Sequence, residues 1–147
     1  MSHSYVQNIV HVVFSTKERR NLIPAEFQPA LWAYVAGICK KNAIFVYAVG
    51  GLDDHIHSLI QLPATMALAK VILTIKSNSS RWTHERGQQV EWQEGYGAFS
   101  VSTSKVSTVE RYIRNQAAHH RKMSFEQEFV ALLKKHGAKF DAKYVFG

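Results

Sequence analysis

The sequence predicts an α+β fold: an antiparallel four-stranded sheet with two helices on one face, followed by further helices toward the C-terminus. Three observations support this prediction. Stretches rich in β-branched and aromatic residues are interspersed with stretches whose apolar residues recur at helical spacing. Gly, Pro and Asp residues separate these stretches, as turns require. The 147 residues are 46% hydrophobic, which suffices for one core, so we expect a single domain over residues 1–147.

The first half of the chain predicts a strand, a helix and a hairpin. Residues 5–16 are rich in β-branched and aromatic side chains, which favours a strand. Pro24 stands at a helix start, and apolar residues then recur at helical spacing over 24–42. The predicted hairpin consists of a strand at 43–49, a turn at 50–54 and a strand at 55–62.

The second half predicts another helix, a fourth strand and two C-terminal helices. Helical spacing covers 65–82, and the polar, glycine-containing stretch 83–90 predicts a loop. The last elements are a strand at 96–102, a helix at 103–122 that carries Tyr112, and a helix that begins at Ser124. The order βαββαβ is that of the ferredoxin-like, or split βαβ, arrangement, with the tyrosine-bearing helix appended to it.

Charge and cysteine content narrow the range of functions. The 18 Lys and Arg against 11 Asp and Glu leave a net charge of +7, which suggests a polyanionic partner. The single Cys39 cannot form an intramolecular disulfide, and no signal-peptide pattern opens the chain. No apolar run approaches the ~20 residues of a membrane helix. The sequence therefore predicts a soluble, cytoplasmic protein that does not bind membranes.

The positive charge is concentrated toward the two ends of the chain. Residues 1–50 carry five Lys and Arg against two acids, and residues 101–147 carry nine against four. The candidate phosphate contacts are Lys17, Arg19 and Arg20 after the first strand, and Arg111, Arg114 and Arg121 on the third helix. Either cluster alone is typical of a solvated face. Because the two clusters flank the candidate site in the sequence, together they favour contacts with phosphates.

A His-Ile-His sequence in the predicted strand at 55–62 is the first candidate site. Because side chains of a strand alternate, His55 and His57 point to one face and Ile56 to the other. Two imidazoles presented in this way can bind a divalent metal. A tripeptide this short also occurs by chance on half-exposed strands, so the pattern alone does not establish a metal site.

Tyr112 and Gln116 form a second candidate pair. They stand four residues apart on a predicted helix, so the phenol and the carboxamide share a face. The alternative is an aromatic residue packed on the sheet beside a surface amide. The helix has an apolar stripe without them, formed by Val106, Val109, Ile113 and Ala117. Tyr112 is therefore not needed as the core anchor of this helix.

The residues around these two elements resemble the single-tyrosine HUH transposases of the insertion-sequence 200/605 group, including their relatives associated with repetitive extragenic palindromes. The matching stretches are HVVFSTKERRNLIP (11–24), HIH (55–57), WQEGYGAFSVS (92–102), and VERYIRNQAAHH with SFEQEF (within 109–129). They occur in the family's order and cover nearly the whole chain. The tyrosine, the glutamine four residues on and the two-histidine strand all occur together.

The resemblance implies a transposase that nicks and rejoins single-stranded DNA with hairpins at the element ends. It implies that Tyr112 is the nucleophile and that His55, His57 and Gln116 hold Mg²⁺ or Mn²⁺. The family forms a 5′-phosphotyrosine, releases a 3′-OH and works as a homodimer. Because the covalent intermediate retains the energy of the phosphodiester, rejoining needs no nucleotide cofactor, in keeping with the lack of a GxxxxGK(S/T) motif.

The sequence leaves other functions and several roles open. The alternatives are a domesticated relative acting on repetitive palindromes, a non-catalytic single-stranded nucleic-acid-binding module, and a metal-dependent hydrolase without a covalent step. A ferredoxin-like sheet with basic and aromatic residues also describes RNA-binding domains, although the predicted strands carry no glycine-aromatic pair of the RNP type. Roles stay open for His11, His119 and His120, for Asp53 and Asp54, and for Trp82, Trp92 and Tyr96.

Overall fold

The computed structural model describes residues 3–120 and 122–146. Its strands are β1 (Ile9–Ser15), β2 (Phe45–Gly51), β3 (His55–Gln61) and β4 (Gly97–Val101). Its helices are α1 (Gln28–Lys41), α2 (Leu68–Glu85), α3 (Val106–Arg114), α4 (Gln116–His119) and α5 (Phe125–Lys135). Short 3₁₀ turns lie at Lys17–Arg19, Ala25–Phe27 and Thr103–Lys105.

The strands form one antiparallel sheet in the order β2-β3-β1-β4. β3 lies between β1 and β2 and is antiparallel to both, so β1 and β2 run parallel without being neighbours. This is the strand order of a split βαβ unit, and the prediction of an α+β, ferredoxin-like sheet is confirmed. In this register, Val13 of β1 and Gly50 of β2 lie opposite His57 of β3.

One face of the sheet packs against α1 and α2, as predicted. The alternate residues Val10, Val12 and Phe14 of β1 point toward these helices. They meet side chains placed at helical spacing, namely Leu31, Val35 and Ile38 of α1 and Val71, Ile72 and Ile75 of α2. Removal of these apolar groups from water is the main stabilisation of this layer. Across the described ranges, no helix combines the length and the hydropathy needed to cross a membrane.

The opposite face of the sheet is covered by the C-terminal helices. α3 packs through a cluster formed by Ile9, Ala48, Leu59 and Ile113. α5 packs through a cluster formed by Val13, Phe99, Phe125, Phe129 and Leu132. The sheet is therefore covered on both faces, and the sequence did not predict which face these helices occupy. The histidine-bearing face becomes the floor of an enclosed site.

The predicted helix at 103–122 is interrupted. A 3₁₀ turn precedes α3, and Asn115, with φ −101° and ψ 27°, separates α3 from the single turn of α4. Asn has a low helix propensity and is common in turns, which is in keeping with a break at this position. Ala117 is exposed as a result. The prediction of one continuous helix, with Ala117 in its docking stripe, is therefore wrong.

Other element ends differ by a few residues from the prediction. β1 begins at Ile9 and not at position 5. α2 continues to Glu85, into the stretch predicted as a loop. Thr83 is buried there, and its hydroxyl donates to the carbonyl of Ser80 at 2.8 Å, which supports the last turn of the helix.

Candidate active site

Two buried histidines on β3 form the floor of the candidate site. His55 and His57 alternate with Ile56, which enters the core beneath α1 and α2. The imidazole of His55 stacks on Phe125 of α5, and that of His57 lies edge-on to Tyr112 of α3. Neither imidazole is exposed to solvent. Because buried polar rings need hydrogen-bond partners, other polar side chains must contact these two imidazoles.

Gln116 and Glu128 converge on these histidines. Oε1 of Gln116 lies 2.8 Å from Nε2 of His55. Oε1 of Glu128 lies 3.1 Å from Nε2 of His57 and 3.4 Å from Nε2 of His55. Nε2 of His120 lies 3.0 Å from each of these two oxygen atoms. The structure thus brings the three predicted metal-ligating residues together and adds His120 and Glu128 to them.

Sequence reasoning missed Glu128, although the sequence carries a signal for it. α5 buries an apolar stripe formed by Phe125, Phe129 and Leu132. Glu128 stands within that stripe, and a carboxylate on the buried face of a helix is costly unless it is paired. The predicted helix start at Ser124 is confirmed, since its hydroxyl accepts from the backbone N–H of Gln127 and its own N–H donates to the Gln127 side chain.

Tyr112 reaches the same carboxylate from α3. Its phenolic O–H donates to Oε2 of Glu128, which also accepts from Nε2 of Gln116 at 3.1 Å. The phenol ring lies edge-on to His57, with 5.7 Å between ring centroids, and beside His119, with 4.5 Å between them. Tyr112 and Gln116 share a face, as their spacing predicted, although a helix break lies between them. The phenol and the candidate metal ligands therefore meet within one chain.

Two further residues contact the outer nitrogen atoms of the imidazoles. Nδ1 of His55 lies 2.7 Å from Oδ1 of Asp54 and can donate to this carboxylate, the kind of outer partner that orients a metal-ligating imidazole. Nδ1 of His57 lies 2.8 Å from Nε2 of His11 on β1. Of the two aspartates whose role the sequence left open, Asp54 thus contacts a candidate ligand, while Asp53 contributes a backbone carbonyl to a neighbouring loop.

Burial and mutual hydrogen bonds determine the charges of these groups. Burial alone would raise the pKa of the Glu128 carboxyl, but hydrogen bonds from His120, His57 and Tyr112 hold this pKa well below its usual range. Burial lowers the pKa of His57 to about 4, against the opposing effect of Glu128. Burial and the Glu128 carboxylate both raise the pKa of the Tyr112 phenol. At neutral pH the site therefore combines an ionised carboxylate, a neutral His57 and a protonated phenol.

The donor atoms suit a divalent cation. Ligand atoms of His55, His57 and Glu128 lie within 4.8 Å of one another. The amide oxygen of Gln116 joins them, 2.8 Å from His55. Imidazole nitrogens are ligands that Mn²⁺ accepts, and amide and carboxylate oxygens are ligands that both Mg²⁺ and Mn²⁺ prefer. The residues present therefore fit a divalent metal beside the Tyr112 hydroxyl.

The predicted phosphate contacts Lys17, Arg19 and Arg20 come soon after β1, and the last residue of β1 lies opposite His55 of β3. Lys17 and Arg20 are exposed there. Arg19 is partly buried, because its guanidinium lies over the ring of Phe146 and donates to the carbonyl of the same residue at 3.2 Å. Two of the three side chains thus face solvent, and the third contacts the C-terminal segment.

The predicted phosphate contacts on the third helix differ among themselves. Arg111 is exposed on α3. Arg114 is also exposed, and its Nη2 donates to the carbonyl of Tyr47 on β2 at 3.3 Å. Arg121 lies outside the described residues. Exposed cations therefore occur in both of the basic clusters identified in the sequence.

The three aromatic residues whose roles the sequence left open differ in how much they are packed. Trp82 stacks on Tyr34, with 4.3 Å between ring centroids, on the helical side of the molecule. Trp92 donates through its indole N–H to the hydroxyl of Ser79 at 3.0 Å. Tyr96 is 40% exposed. Packing thus accounts for the two tryptophans, and Tyr96 presents more of its surface to solvent.

The chain is similar to transposases in sequence and in fold. Residues 4–116 match the family model described as Transposase IS200 like. The transposases for insertion sequence element IS200 of Salmonella typhimurium (strain LT2) and Salmonella typhi are 24% identical to it over 114 residues, which cover 72% of this chain and 74% of theirs. The match is spread along most of both chains and is not confined to a short motif.

Among the solved structures that share the fold are two transposases. The crystal structure of a putative transposase from Deinococcus radiodurans R1 superposes with a TM-score of 0.58 at 21% identity, covering 79% of this chain and 96% of that chain. The structure of a REP-associated tyrosine transposase bound to a REP hairpin superposes with a TM-score of 0.59 at 18% identity, covering 82% of this chain and 73% of that chain.

Proposed function

Because the chain belongs to the family of IS200-like transposases, we propose that it nicks and rejoins single-stranded DNA through a covalent intermediate on Tyr112. Members of this family are DNA-cleaving enzymes. The observation that carries the proposal is the position of the Tyr112 hydroxyl, which donates to Oε2 of Glu128 while Oε1 of the same carboxylate lies among the imidazoles. Any buried tyrosine needs a hydrogen-bond partner, but here the partner is a carboxylate that is shared with the candidate metal ligands.

The geometry supports a path for the phenol proton. Oε2 of Glu128 accepts the hydrogen bond from Tyr112, so it is placed to take this proton. The transfer accompanies the bond from the phenolic oxygen to phosphorus, because that bond makes the phenolic proton far more acidic than it is in the free tyrosine. The bond from phosphorus to the 3′ oxygen breaks, and its electron pair passes to that oxygen, which water protonates. The products are a free 3′-OH and a 5′ phosphate bonded to Tyr112. Rejoining is the reverse, and Glu128 returns the proton to the phenol.

The proposed reaction also needs stabilisation of the negative charge that develops on the scissile phosphate. A divalent cation bound by His55, His57, Gln116 and Glu128 would supply Lewis-acid stabilisation of the scissile phosphate. Mg²⁺ or Mn²⁺ fits this mixture of nitrogen and oxygen donors. His57 is suited to ligation, because burial keeps its imidazole neutral at neutral pH.

The proposed substrate is single-stranded DNA that carries a hairpin. One structural neighbour, a REP-associated tyrosine transposase, is bound to a REP hairpin, and this chain has exposed cations beside the strand that bears the histidines. We further propose that binding, metal and nucleophile share one domain and that the working form is a homodimer. A non-catalytic binding module would not need a buried carboxylate that contacts histidines and a tyrosine, because exposed cations and aromatic rings suffice to bind single-stranded nucleic acid.

End-labelled DNA tests this proposal. A hairpin-bearing strand is incubated with the protein and Mg²⁺ and then run on a denaturing gel. Because the 5′ phosphate becomes bonded to Tyr112, a 3′-end label should migrate with the protein and a 5′-end label should be released. Tyr112→Phe and EDTA should each abolish the adduct, whereas Tyr96→Phe should retain it. An adduct that persists in Tyr112→Phe, or that forms in EDTA, refutes the mechanism.

A further inference from the structure

We propose that His11 is a positioning residue that holds the proton of His57 on Nδ1, so that Nε2 of His57 presents its lone pair to a divalent cation. This inference rests on the proposed function, because it concerns the same metal site. His11 stands outside the residues proposed to touch the metal or the phosphate. It acts indirectly, because it fixes the ring orientation of His57 and determines which nitrogen of that ring carries the proton.

The contact between the two imidazoles requires one donor and one acceptor. Nε2 of His11 lies 2.8 Å from Nδ1 of His57, and the rings are stacked with 5.0 Å between their centroids. Two N–H groups at this distance would repel each other, and two lone pairs would leave buried polar atoms unsatisfied. The pair therefore has two arrangements, in which either His11 or His57 is the donor.

The two arrangements have opposite consequences for Nε2 of His57. When His11 is the donor, His57 carries its proton on Nε2 and donates to Oε1 of Glu128, 3.1 Å away. When His57 is the donor, its Nε2 carries a lone pair toward the same site and can ligate a cation. Each ring keeps one proton throughout, so His57 changes from donor to ligand without a charged imidazole in the buried site.

Packing holds His11 in the orientation that this role needs. His11 is 3% exposed, and its ring lies edge-on to Phe99, with 6.4 Å between centroids, and to Tyr112, with 6.2 Å between them. It lies on β1, next to the strand that carries His57. The two candidate histidine ligands thus have different outer partners: an imidazole for His57, and the carboxylate of Asp54 for His55.

Long-range ¹H–¹⁵N NMR of the wild-type protein tests the proposal without a mutation. Histidine-labelled protein is measured without metal and with Mg²⁺, which is diamagnetic. In the Mg²⁺-loaded protein, both His57 and His11 are expected to carry their protons on Nδ1. A loaded protein in which His11 is protonated on Nε2, or His57 on Nε2, overturns the proposal.

Three variants separate the acceptor role from packing. His11→Leu removes the acceptor, His11→Gln keeps an amide oxygen in its place, and Phe99→Leu alters the packing beside His11 without touching the hydrogen bond to His57. In calorimetric titrations with Mn²⁺, His11→Leu should bind about 10- to 100-fold more weakly than wild type. His11→Gln should recover most of this affinity, and Phe99→Leu should bind as wild type does. Wild-type affinity in His11→Leu overturns the proposal.

Failure of this inference differs from failure of the proposed function. Mn²⁺ affinity that depends on His11, in a protein that never forms an adduct at Tyr112, supports the inference and contradicts the proposed function. Conversely, if the wild-type protein forms the adduct but His11→Leu binds Mn²⁺ as tightly as wild type does, the proposed function is supported and this inference is contradicted. If His11→Leu does not fold by circular dichroism, the NMR measurement on wild type still decides.

Discussion

Glu128 is the residue that connects the parts of the candidate site. Oε1 lies within 3.4 Å of three imidazole nitrogens, and Oε2 accepts from Tyr112 and Gln116. An ionised carboxylate that is 1% exposed is tolerated because its lone pairs are satisfied by these groups. One side chain thereby joins the candidate nucleophile to the candidate metal ligands.

Glu128→Gln tests this connection at the residue scale. The carboxamide keeps the volume and one acceptor oxygen but cannot take the proton of Tyr112, so adduct formation should slow by about 10²-fold or more. The measurement is the single-turnover rate with 3′-end-labelled DNA at saturating protein. Glu126→Gln, an exposed position on the same helix, should react at the wild-type rate. An undiminished rate in Glu128→Gln would show that another group receives the proton.

At the scale of elements, a close approach between α3 and β2 places the nucleophile. Gly50 lies opposite His57 in the sheet, and Ile113 of α3 follows Tyr112 directly in the chain. A Cβ atom on Gly50 would lie only 2.5 Å from the carbonyl oxygen of Ile113. Only glycine leaves room for the helix at this distance from the strand. The depth of Tyr112 in the site therefore depends on a residue outside the site.

Gly50→Ala should displace α3 from the sheet. The clash is with backbone, so relief requires movement of the helix, and we expect a decrease of about 1–3 kcal/mol in the free energy of unfolding. Adduct formation should fall at least tenfold, because Tyr112 moves with the helix. Urea denaturation and the gel assay measure the two effects.

Gly37→Ala is the matched control for this substitution. Gly37 is exposed on α1, and a Cβ there would meet no atom within 4 Å. The higher helix propensity of Ala should stabilise this variant by about 0.5–1 kcal/mol and leave adduct formation unchanged. Equal behaviour of the two variants would mean that the close approach of Gly50 and Ile113 does not position α3.

At the scale of the whole molecule, the two faces of the sheet have different tasks. α1 and α2 cover a face of apolar strand residues, and that layer supplies the core. The other face carries the histidines beneath α3 and α5, and the basic turn at Lys17–Arg19 follows the strand end that lies opposite His55. Of the charges that make up the net charge of +7, only exposed cations near this second face can therefore contact the phosphates of DNA bound at the site.

Salt dependence of DNA binding tests this placement of charge. The double variant Lys17→Gln/Arg20→Gln should lower the slope of log affinity against log salt by about 0.7 for each phosphate that the protein no longer neutralises. The pair Lys40→Gln/Lys41→Gln removes the same charge from the end of α1, on the other face, and should leave the slope near that of wild type. Fluorescence anisotropy with a labelled single strand measures both. Equal slopes for the two variants would contradict the placement.

The sequence by itself determined the element order, the sheet class and the candidates Tyr112, Gln116, His55 and His57, which the structure brings together. These inferences depend on local patterns: periodicity along the chain and spacing within one strand or one helix. Apolar periodicity did not reveal the break at Asn115, because Ala117 continues the spacing of Val106, Val109 and Ile113 past it, although Ala117 is exposed in the structure.

Only the tertiary structure decided which helices cover the histidine face and which side chains complete the site. The hydrogen bond of His57 with His11 joins residues 46 positions apart, and that with Glu128 joins residues 71 positions apart. Such pairings depend on how separate elements pack, and periodicity reports only on neighbours in the chain. A buried acid on an apolar stripe indicates that a partner is needed, but the fold alone determines that the partners are two histidines, a glutamine and a tyrosine from β3, α3 and α4, together with His120 just after α4.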